Sequence, residues 1–376
     1  MAVDNAAGGR LFRAPARINI IGEHTDYNDG LVLPTATALF TWLHIFERSD
    51  RRVQVTSLNL DQVAHFSLDG IEPSAETSWI DYVRGVAAGL EGAGVRLRGA
   101  NILIDSDIPL GSGLSSSAAL ELVSAQALLG LAGRSLPAER LAELCQSAEH
   151  RYAKVQCGIM DQYTIACARK GHALLLDCRS LQAMQVPIPG DLGFLVVDSG
   201  VRHCLPDGNY NSRADECAEA LKLLAAEQPQ IKSLRDLDRA TLERCEPALG
   251  DVLYRRCRHL VSENERVRKA VTALQNHDAR ALGSLLSDCH ASLRDDYEIS
   301  CPEVDTLVAT ANSVDGVLGS RMVGGGFGGC VLVVTAADDI AGAAEQIRER
   351  YAANVGSEPW MHIVNAAGPA QEISES

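Results

Sequence analysis

The chain has 376 residues, of which 46% are hydrophobic, and carries a formal net charge of -15. This length exceeds one ordinary hydrophobic core, so we predict two domains, and the composition excludes a disordered chain. The negative charge disfavours a general nucleic-acid-binding surface and binding to an anionic membrane. The eleven cysteines are scattered without a C-x-x-C pair, which indicates reduced thiols. Because the chain shows neither a secretion signal nor an apolar stretch that could span a bilayer, we expect a cytoplasmic protein.

The first polar feature is the loop from Gly22 to Gly30, which lies between predicted strands at residues 16–21 and 31–33. Three side chains that carry chemistry, Glu23, His24 and Asp26, fall within four residues of it. A polar surface loop and a zinc site remain open, although spaced partner ligands for zinc are absent. Alternating carboxylates and an imidazole suit a neutral, polyhydroxylated ligand.

The second feature joins a predicted strand at residues 100–105 to an apolar helix at residues 114–131 through a loop that begins at Pro109. Gly111 and Gly113 allow the backbone to approach an anion, and the start of the helix favours negative charge. The serines at positions 115–117 add hydroxyl groups, but the lysine of a Walker loop is missing. The alternatives are a Gly/Ser turn whose serine caps the helix, and a dinucleotide-binding fold whose third glycine is absent.

Two acidic residues follow this helix. Glu149 lies near the end of a predicted helix at residues 137–152, either as a solvated residue or as a magnesium ligand facing Ser117. Asp161 lies between Met160 and a second apolar run. A buried carboxylate needs a cation nearby, and Arg17 is our candidate for it.

The second half of the chain begins with predicted strands at residues 173–177 and 193–198. Residues 211–293 then have a mostly helical pattern, with one long helix predicted at residues 252–274. We interpret the basic cluster at residues 255–258 as a solvated helix face; the less favoured alternative is that it lies over nucleotide phosphates. The glycines at positions 324–329 match G-x-G-x-x-G, but a strand follows them, which excludes a dinucleotide site. A strand, strand, helix, strand order then predicts a small α+β domain.

Three segments together resemble the GHMP small-molecule kinases: residues 17–30, 109–119 and 324–329. The first is similar to the galactokinases in particular, as are Cys157 to Gln162, Tyr210 to Arg213 and Ser292 to Tyr297. The resemblance implies an α+β, two-domain GHMP kinase fold. Its parts would be an N-terminal ribosomal-protein-S5-domain-2-like α/β domain (residues 1–185) and a C-terminal ferredoxin-like α+β domain with helical additions (residues 186–376). The active site would lie in the cleft between them.

The implied activity is transfer of the γ-phosphoryl group of ATP to the C1 hydroxyl group of α-D-galactose, the first committed step of galactose metabolism. By similarity, Asp161 is the catalytic base, and Arg17 holds it ionised and stabilises charge on the transferred group. The implied sugar contacts are Glu23, His24, Asp26, Gly158 and Tyr210. The implied phosphate contacts are Gly111, Ser112, Gly113, Leu114, Ser115, Ser116 and Ser117. Mg²⁺ would be held by Ser117 and Glu149.

The chain departs from the family pattern at Ala16 and Lys154, where glycine is common, and at Ala214, where arginine is common. Three other functions compete with galactose phosphorylation: a sugar and ATP sensor without catalysis, a kinase for arabinose or N-acetylgalactosamine, and, least favoured, an NAD-dependent enzyme. Partners other than galactose and ATP are not expected, and we predict a monomer or weak homodimer.

Overall fold

A computed structural model describes residues 8–201 and 209–373 of the chain. Within these residues the strands are β1 (Arg10–Asn19), β2 (Leu31–Val32), β3 (Pro34–Glu47), β4 (Arg52–Ser57), β5 (Gln62–Ser67), β6 (Ala100–Ser106), β7 (His172–Asp177), β8 (Ala183–Pro187), β9 (Leu192–Asp198), β10 (Val317–Val323), β11 (Cys330–Ala336), β12 (Met361–Ile363) and β13 (Gln371–Ile373). The α-helices are α1 (Ile80–Gly92), α2 (Ser116–Leu131), α3 (Ala138–Ala148), α4 (Met160–Cys167), α5 (Asn209–Glu227), α6 (Arg239–Gln275), α7 (Ala279–Asp295), α8 (Pro302–Asn312) and α9 (Ile340–Val355).

The first sheet has the order β13-β1-β3-β6-β4-β5, and its pairs are antiparallel except β4 with β6. Helix α2 packs across β1 and β3. It is apolar almost all round, as predicted, because α1, α3 and α4 cover its other faces. It begins at Ser116, two residues later than predicted. This packing fixes the start of α2 against β1, the strand that carries Arg17.

The second sheet has the order β10-β11-β9-β12 and is antiparallel throughout. Helices α7, α8 and α9 pack against it, which confirms the predicted α+β character of this part. A third, small sheet joins β2, β7 and β8. The final strand, β13, returns to pair with β1 in the first sheet. The predicted boundary between residues 185 and 186 falls inside β8, and that division remains a prediction.

Helix α6 is longer than the helix predicted for this part of the chain, and it contains a kink. Two residues account for the kink: Pro247 removes a backbone donor, and Gly250 has non-helical dihedral angles, with φ 67° and ψ 171°. Within the described ranges, no helix is both long enough and apolar enough to cross a lipid bilayer.

Candidate active site

Arg17 and Asp161 form a bidentate ion pair at the centre of the site. Arg17 Nε donates to Asp161 Oδ1 at 2.6 Å, and Nη2 donates to Oδ2 at 2.7 Å. Arg17 is buried on β1, while a quarter of the Asp161 side chain, on the first turn of α4, remains exposed. Burial lowers the pKa of Arg17, but the charge and hydrogen bonds of Asp161, together with the nearby Glu23 and Asp26 carboxylates, outweigh this effect and the pKa is raised. The predicted pairing is confirmed, and it leaves the Asp161 carboxyl group partly exposed.

Ser115 connects the phosphate-type loop, residues 109–117, to this pair. Its hydroxyl group donates to Asp161 Oδ2. It has a left-handed backbone, with φ 64° and ψ 49°, and its side chain does not cap α2. The alternative of a simple helix-capping serine therefore does not hold for this residue. A left-handed serine is strained, and such strain is typical of functional sites.

The two glycine-rich loops touch each other. A Cβ atom placed on Gly324 would lie 2.9 Å from the Cα atom of Gly113, and one placed on Gly113 would lie 3.2 Å from the carbonyl oxygen of Val323. Both glycines have positive φ, 78° at Gly113 and 88° at Gly324. The glycine motif near residue 324 thus allows close backbone approach to the loop beside α2, and it does not form a dinucleotide fold.

Glu149 belongs to a buried polar cluster behind the start of α2. Its carboxylate accepts from the Ser117 hydroxyl group and, through Oε2, from Gln162 Nε2 at 2.6 Å. The same Gln162 nitrogen donates to Glu121 Oε2 at 3.1 Å. Burial raises the pKa of both carboxyl groups, and nearby carboxylates add to the effect. Glu149 is thus not a solvated helix residue, and it faces Ser117.

Asp26 packs against the backbone of Gly158. A Cβ atom on Gly158 would lie 1.8 Å from Asp26 Oδ2, so only glycine admits this contact. Burial raises the pKa of Asp26 to about 7, with a further contribution from the nearby Asp161 carboxylate. Asp26 and Asp161 are distant in sequence, yet their side chains line the same cavity.

His24 lies beside two tyrosines. Its Nδ1 atom is 2.7 Å from the Tyr27 hydroxyl oxygen, which in turn is 2.8 Å from that of Tyr297. Burial lowers the pKa of His24 to about 3, and His259 and Arg213 contribute. The imidazole is therefore neutral at physiological pH and can act as a hydrogen-bonding group, not as a cation.

The carboxylate of Glu23 is anchored by the second half of the chain. Its Oε1 atom accepts from Arg321 Nη2 at 3.0 Å and from the backbone N–H of Gly324 at 3.1 Å. Arg321 is fully buried and also donates to the carbonyl oxygens of Asn19 and Ile20. These contacts join the end of β1 to β10 and set the direction of the Glu23 side chain.

The backbone of the same loop is held by α6. Glu263 Oε1 accepts from the N–H groups of Gly22 at 2.8 Å and Glu23 at 3.2 Å, while Arg266 pairs with Oε2 at 2.6 Å. His259 Nε2 lies 3.1 Å from the carbonyl oxygen of Glu23. The predicted binding loop is therefore positioned by residues more than 230 positions away.

These groups surround a cavity of about 520 Å³. The predicted site residues that line it are Arg17, Glu23, His24, Asp26, Gly111, Gly113, Ser115, Ser116, Ser117, Glu149, Gly158 and Asp161. Ser112 and Leu114 do not: the Ser112 hydroxyl group donates to the carbonyl oxygen of Pro109 at 2.7 Å, and Leu114 is packed in the core. The side chain of Tyr210 lies outside the described part of the structure.

Sequence reasoning missed Glu121, Gln162, Glu263 and Arg321, which support the site from behind. Glu121 is a charged residue within an apolar run, and that pattern was its available signal. Glu263 lies in the polar stretch of residues 262–266, and Gln162 and Arg321 each follow a polar residue, so no such signal was present for them. The interpretation of residues 255–258 as a solvated face was wrong for Arg256. Arg256 is 2% exposed and pairs with Glu216 at 2.5 Å and Glu298 at 2.7 Å.

Comparisons with known proteins agree with this geometry. Residues 3–45 match the galactokinase galactose-binding signature, residues 81–169 the N-terminal domain of GHMP kinases, and residues 270–353 their C-terminal domain. A galactokinase of Chloroflexus aurantiacus is 44% identical over 347 residues, which are 92% of this chain and 89% of that protein. A galactokinase of Roseiflexus is 41% identical over 366 residues, which are 97% of this chain and 93% of that protein.

Solved structures show the same relationship. The crystal structure of Lactococcus lactis galactokinase complexed with galactose matches with a TM-score of 0.94 and 35% identity, covering 99% of this chain and 97% of that one. A mevalonate kinase structure, at 18% identity and a TM-score of 0.69, shares the fold. The match covers 94% of this chain and 98% of the mevalonate kinase chain.

Proposed function

The chain belongs to the galactokinases of the GHMP kinase family, and we propose that Asp161 removes the proton of the galactose C1 hydroxyl group during phosphoryl transfer. The activity is that of an ATP-dependent sugar kinase, which converts galactose and ATP to galactose phosphate and ADP. The observation that carries the proposal is the position of Asp161. Asp161 lines the cavity between Asp26, in the loop of residues 22–30, and Ser115 of the phosphate-type loop.

Arg17 has two parts in this mechanism. Its guanidinium group donates one hydrogen bond to each carboxylate oxygen of Asp161, at 2.6 and 2.7 Å. These bonds fix the direction of the carboxylate and compensate its charge. As the C1 oxygen bonds to the γ-phosphorus atom, its proton passes to Asp161 and ADP leaves. The positive charge of Arg17 then offsets the negative charge on the transferred group. Positioning and charge stabilisation are the main demands of phosphoryl transfer.

Galactose is held by the loop that carries Glu23, His24 and Asp26. Glu23 is fixed by Arg321, and neutral His24 can donate or accept a hydrogen bond. Sugar hydroxyl groups need such paired donors and acceptors, and a sugar lacking one hydroxyl would leave a buried group unpaired. Gly158 leaves room for Asp26 beside the sugar, and Tyr210 is proposed as a further contact on the basis of the family resemblance.

The triphosphate of ATP is placed at the loop of residues 111–117 and the start of α2, where unpaired backbone N–H groups favour anions. Ser117 and Glu149 would hold Mg²⁺, because a hydroxyl and a carboxylate are hard oxygen ligands that leave room for phosphate oxygens and water. When bound, Mg²⁺ neutralises charge on the phosphates.

The test is ATP consumption by the purified protein with Mg²⁺ and a panel of galactose, glucose, arabinose, galactosamine, N-acetylgalactosamine and no sugar. Galactose-dependent turnover with phosphate on C1 supports the proposal. Preference for another sugar would keep the mechanism and reassign the pocket. Binding of galactose and ATP without turnover would favour a sensor and contradict the role of Asp161.

Cellular location and assembly are also proposals. The cysteines of residues 8–201 and 209–373 are free thiols, which fits the reducing cytoplasm. We expect a monomer or weak homodimer in solution, to be checked by sedimentation of the purified chain.

A further inference from the structure

Lys154 has an unusual backbone conformation at the end of the helical turn that begins with Glu149, a proposed metal ligand. Helix α3 continues into a π-helical turn at Glu149–Ala153, and Lys154 ends that turn with φ 60° and ψ 30°. This left-handed region favours glycine or asparagine over lysine. Strained residues of this kind gather at ligand sites, and π-helical turns do so as well.

The charges around the cavity provide a second, independent observation. Its described lining contains four carboxylate side chains, on Glu23, Asp26, Glu149 and Asp161. Among the residues that the structure describes, the positively charged side chains lining the cavity are those of Arg17 and Lys154. Arg17 is already occupied, because two of its nitrogens bond Asp161 and the third, Nη1, donates to the carbonyl oxygen of Gly113 at 2.6 Å.

The phosphate-type loop offers no cation of its own. Residues 109–131 contain neither lysine nor arginine, whereas a Walker loop would supply a lysine to the terminal phosphates. Lys154 is exposed and lies on the wall of the same cavity as Ser117. We propose that the Lys154 ammonium group contacts the terminal phosphates of ATP and so supplies the positive charge that this loop lacks. This inference rests on the proposed kinase function.

The competing interpretation is a lysine that only ends the helical turn and is solvated. Lys154→Gly distinguishes the two, because glycine accepts a positive φ and should not disturb the fold. Lys154→Arg keeps the charge, and Lys170→Gly removes an exposed turn lysine outside the cavity as a matched control. The melting temperature of each variant verifies that its fold is intact.

The experiment measures KM for ATP and for galactose at saturating Mg²⁺, together with binding of a non-hydrolysable ATP analogue by calorimetry. Loss of one charge-assisted hydrogen bond should raise KM for ATP and the analogue Kd about tenfold in Lys154→Gly, with KM for galactose unchanged. Lys154→Arg and Lys170→Gly should stay near the parent values. The parent should also lose analogue affinity more steeply with salt than Lys154→Gly does.

Changes below about twofold in both ATP parameters of Lys154→Gly would overturn the inference, since a charge-assisted hydrogen bond contributes more than that. A rise in KM for galactose alone would also overturn it, by assigning Lys154 to the sugar. Parent turnover is measured in the same series. If the parent turns over galactose, these outcomes bear on Lys154 alone and leave the proposed kinase function standing.

Discussion

Arg17 and Asp161 are 144 positions apart in the chain, yet two parallel hydrogen bonds of 2.6 and 2.7 Å join them. One partner is on β1 and the other on the first turn of α4, and α2 packs against both of these elements. The core of the first part of the molecule therefore fixes the positions of Arg17 and Asp161. Ser115, at the start of α2, adds a third bond to the same carboxylate.

Asp161→Asn should retain the fold and galactose binding but lose turnover by about 10²-fold to 10⁴-fold, the usual contribution of a general base. An amide cannot take the C1 proton, although its oxygen can still accept from Arg17. The measurements are kcat, galactose affinity by calorimetry and the melting temperature. Full activity in this variant would remove Asp161 as the base.

Much of this site could be predicted from local patterns. The apolar run of α2, the glycine loops and the acidic residue between apolar neighbours are visible in the sequence, because each depends on the residues beside it. The pairing of Asp161 with Arg17 needed one more step, namely that a buried carboxylate requires a cation. Arg17 was the candidate for that cation, and the family resemblance implied the same residue.

The supporting residues could not be predicted in this way. Arg321 stands in a strand pattern, and its partner Glu23 is 298 positions away. Arg256 looked like part of a solvated basic face, but Glu216 and Glu298 on other segments make its burial possible. A charge is buried when distant partners converge on it, and periodicity within one element does not contain that information.

Arg321→Met should lower the free energy of unfolding by about 3–5 kcal/mol, because it leaves the Glu23 carboxylate buried without its cation. Denaturant unfolding measures this loss. Adding Glu23→Gln removes the unpaired charge and should recover part of the stability. If the double variant is as unstable as the single one, the lost bonds to the Asn19 and Ile20 carbonyls, not the charge, account for the effect.

Asp26 should make stability and sugar affinity respond oppositely to pH. Its pKa in the folded protein is raised to about 7, chiefly by burial, whereas an unfolded aspartate ionises near about 4. The folded state binds more protons between these values, so the contribution of Asp26 to the free energy of unfolding falls as pH rises from about 4 to about 7. Ionised Asp26 is the better acceptor for sugar hydroxyls, and KM for galactose should fall over the upper part of this range.

The check is denaturant unfolding and KM for galactose from about pH 5 to about pH 8, compared between the parent and Asp26→Asn. Asparagine does not titrate, so the difference in stability between the two proteins should shift in favour of the variant as pH rises. A difference that is constant across the range would show that Asp26 is already ionised at the lowest pH.

Glu149→Gln should raise the Mg²⁺ concentration needed for half-maximal activity by about tenfold or more, since the proposed carboxylate ligand is replaced by a neutral amide. Glu121→Gln is the matched control from the same cluster. Burial raises the pKa of Glu121 well above its usual range, and Glu121 does not line the cavity, so its replacement disturbs the same cluster without removing a proposed ligand. An equal Mg²⁺ requirement in the parent and Glu149→Gln would argue against Glu149 as a ligand.

Gly324→Ala tests the contact between the two glycine loops. The added methyl group would lie 2.9 Å from Gly113 Cα and 3.1 Å from Gly113 O, so the phosphate-type loop must move and KM for ATP should rise. Gly356→Ala is the control, because Gly356 has a similar φ of 83° but open space around it. It should cost only the left-handed strain of alanine, about 1–2 kcal/mol, without changing KM. Since the two substitutions share that strain, any difference in KM for ATP between them measures the contact with Gly113, and equal values would mean that the loops tolerate separation.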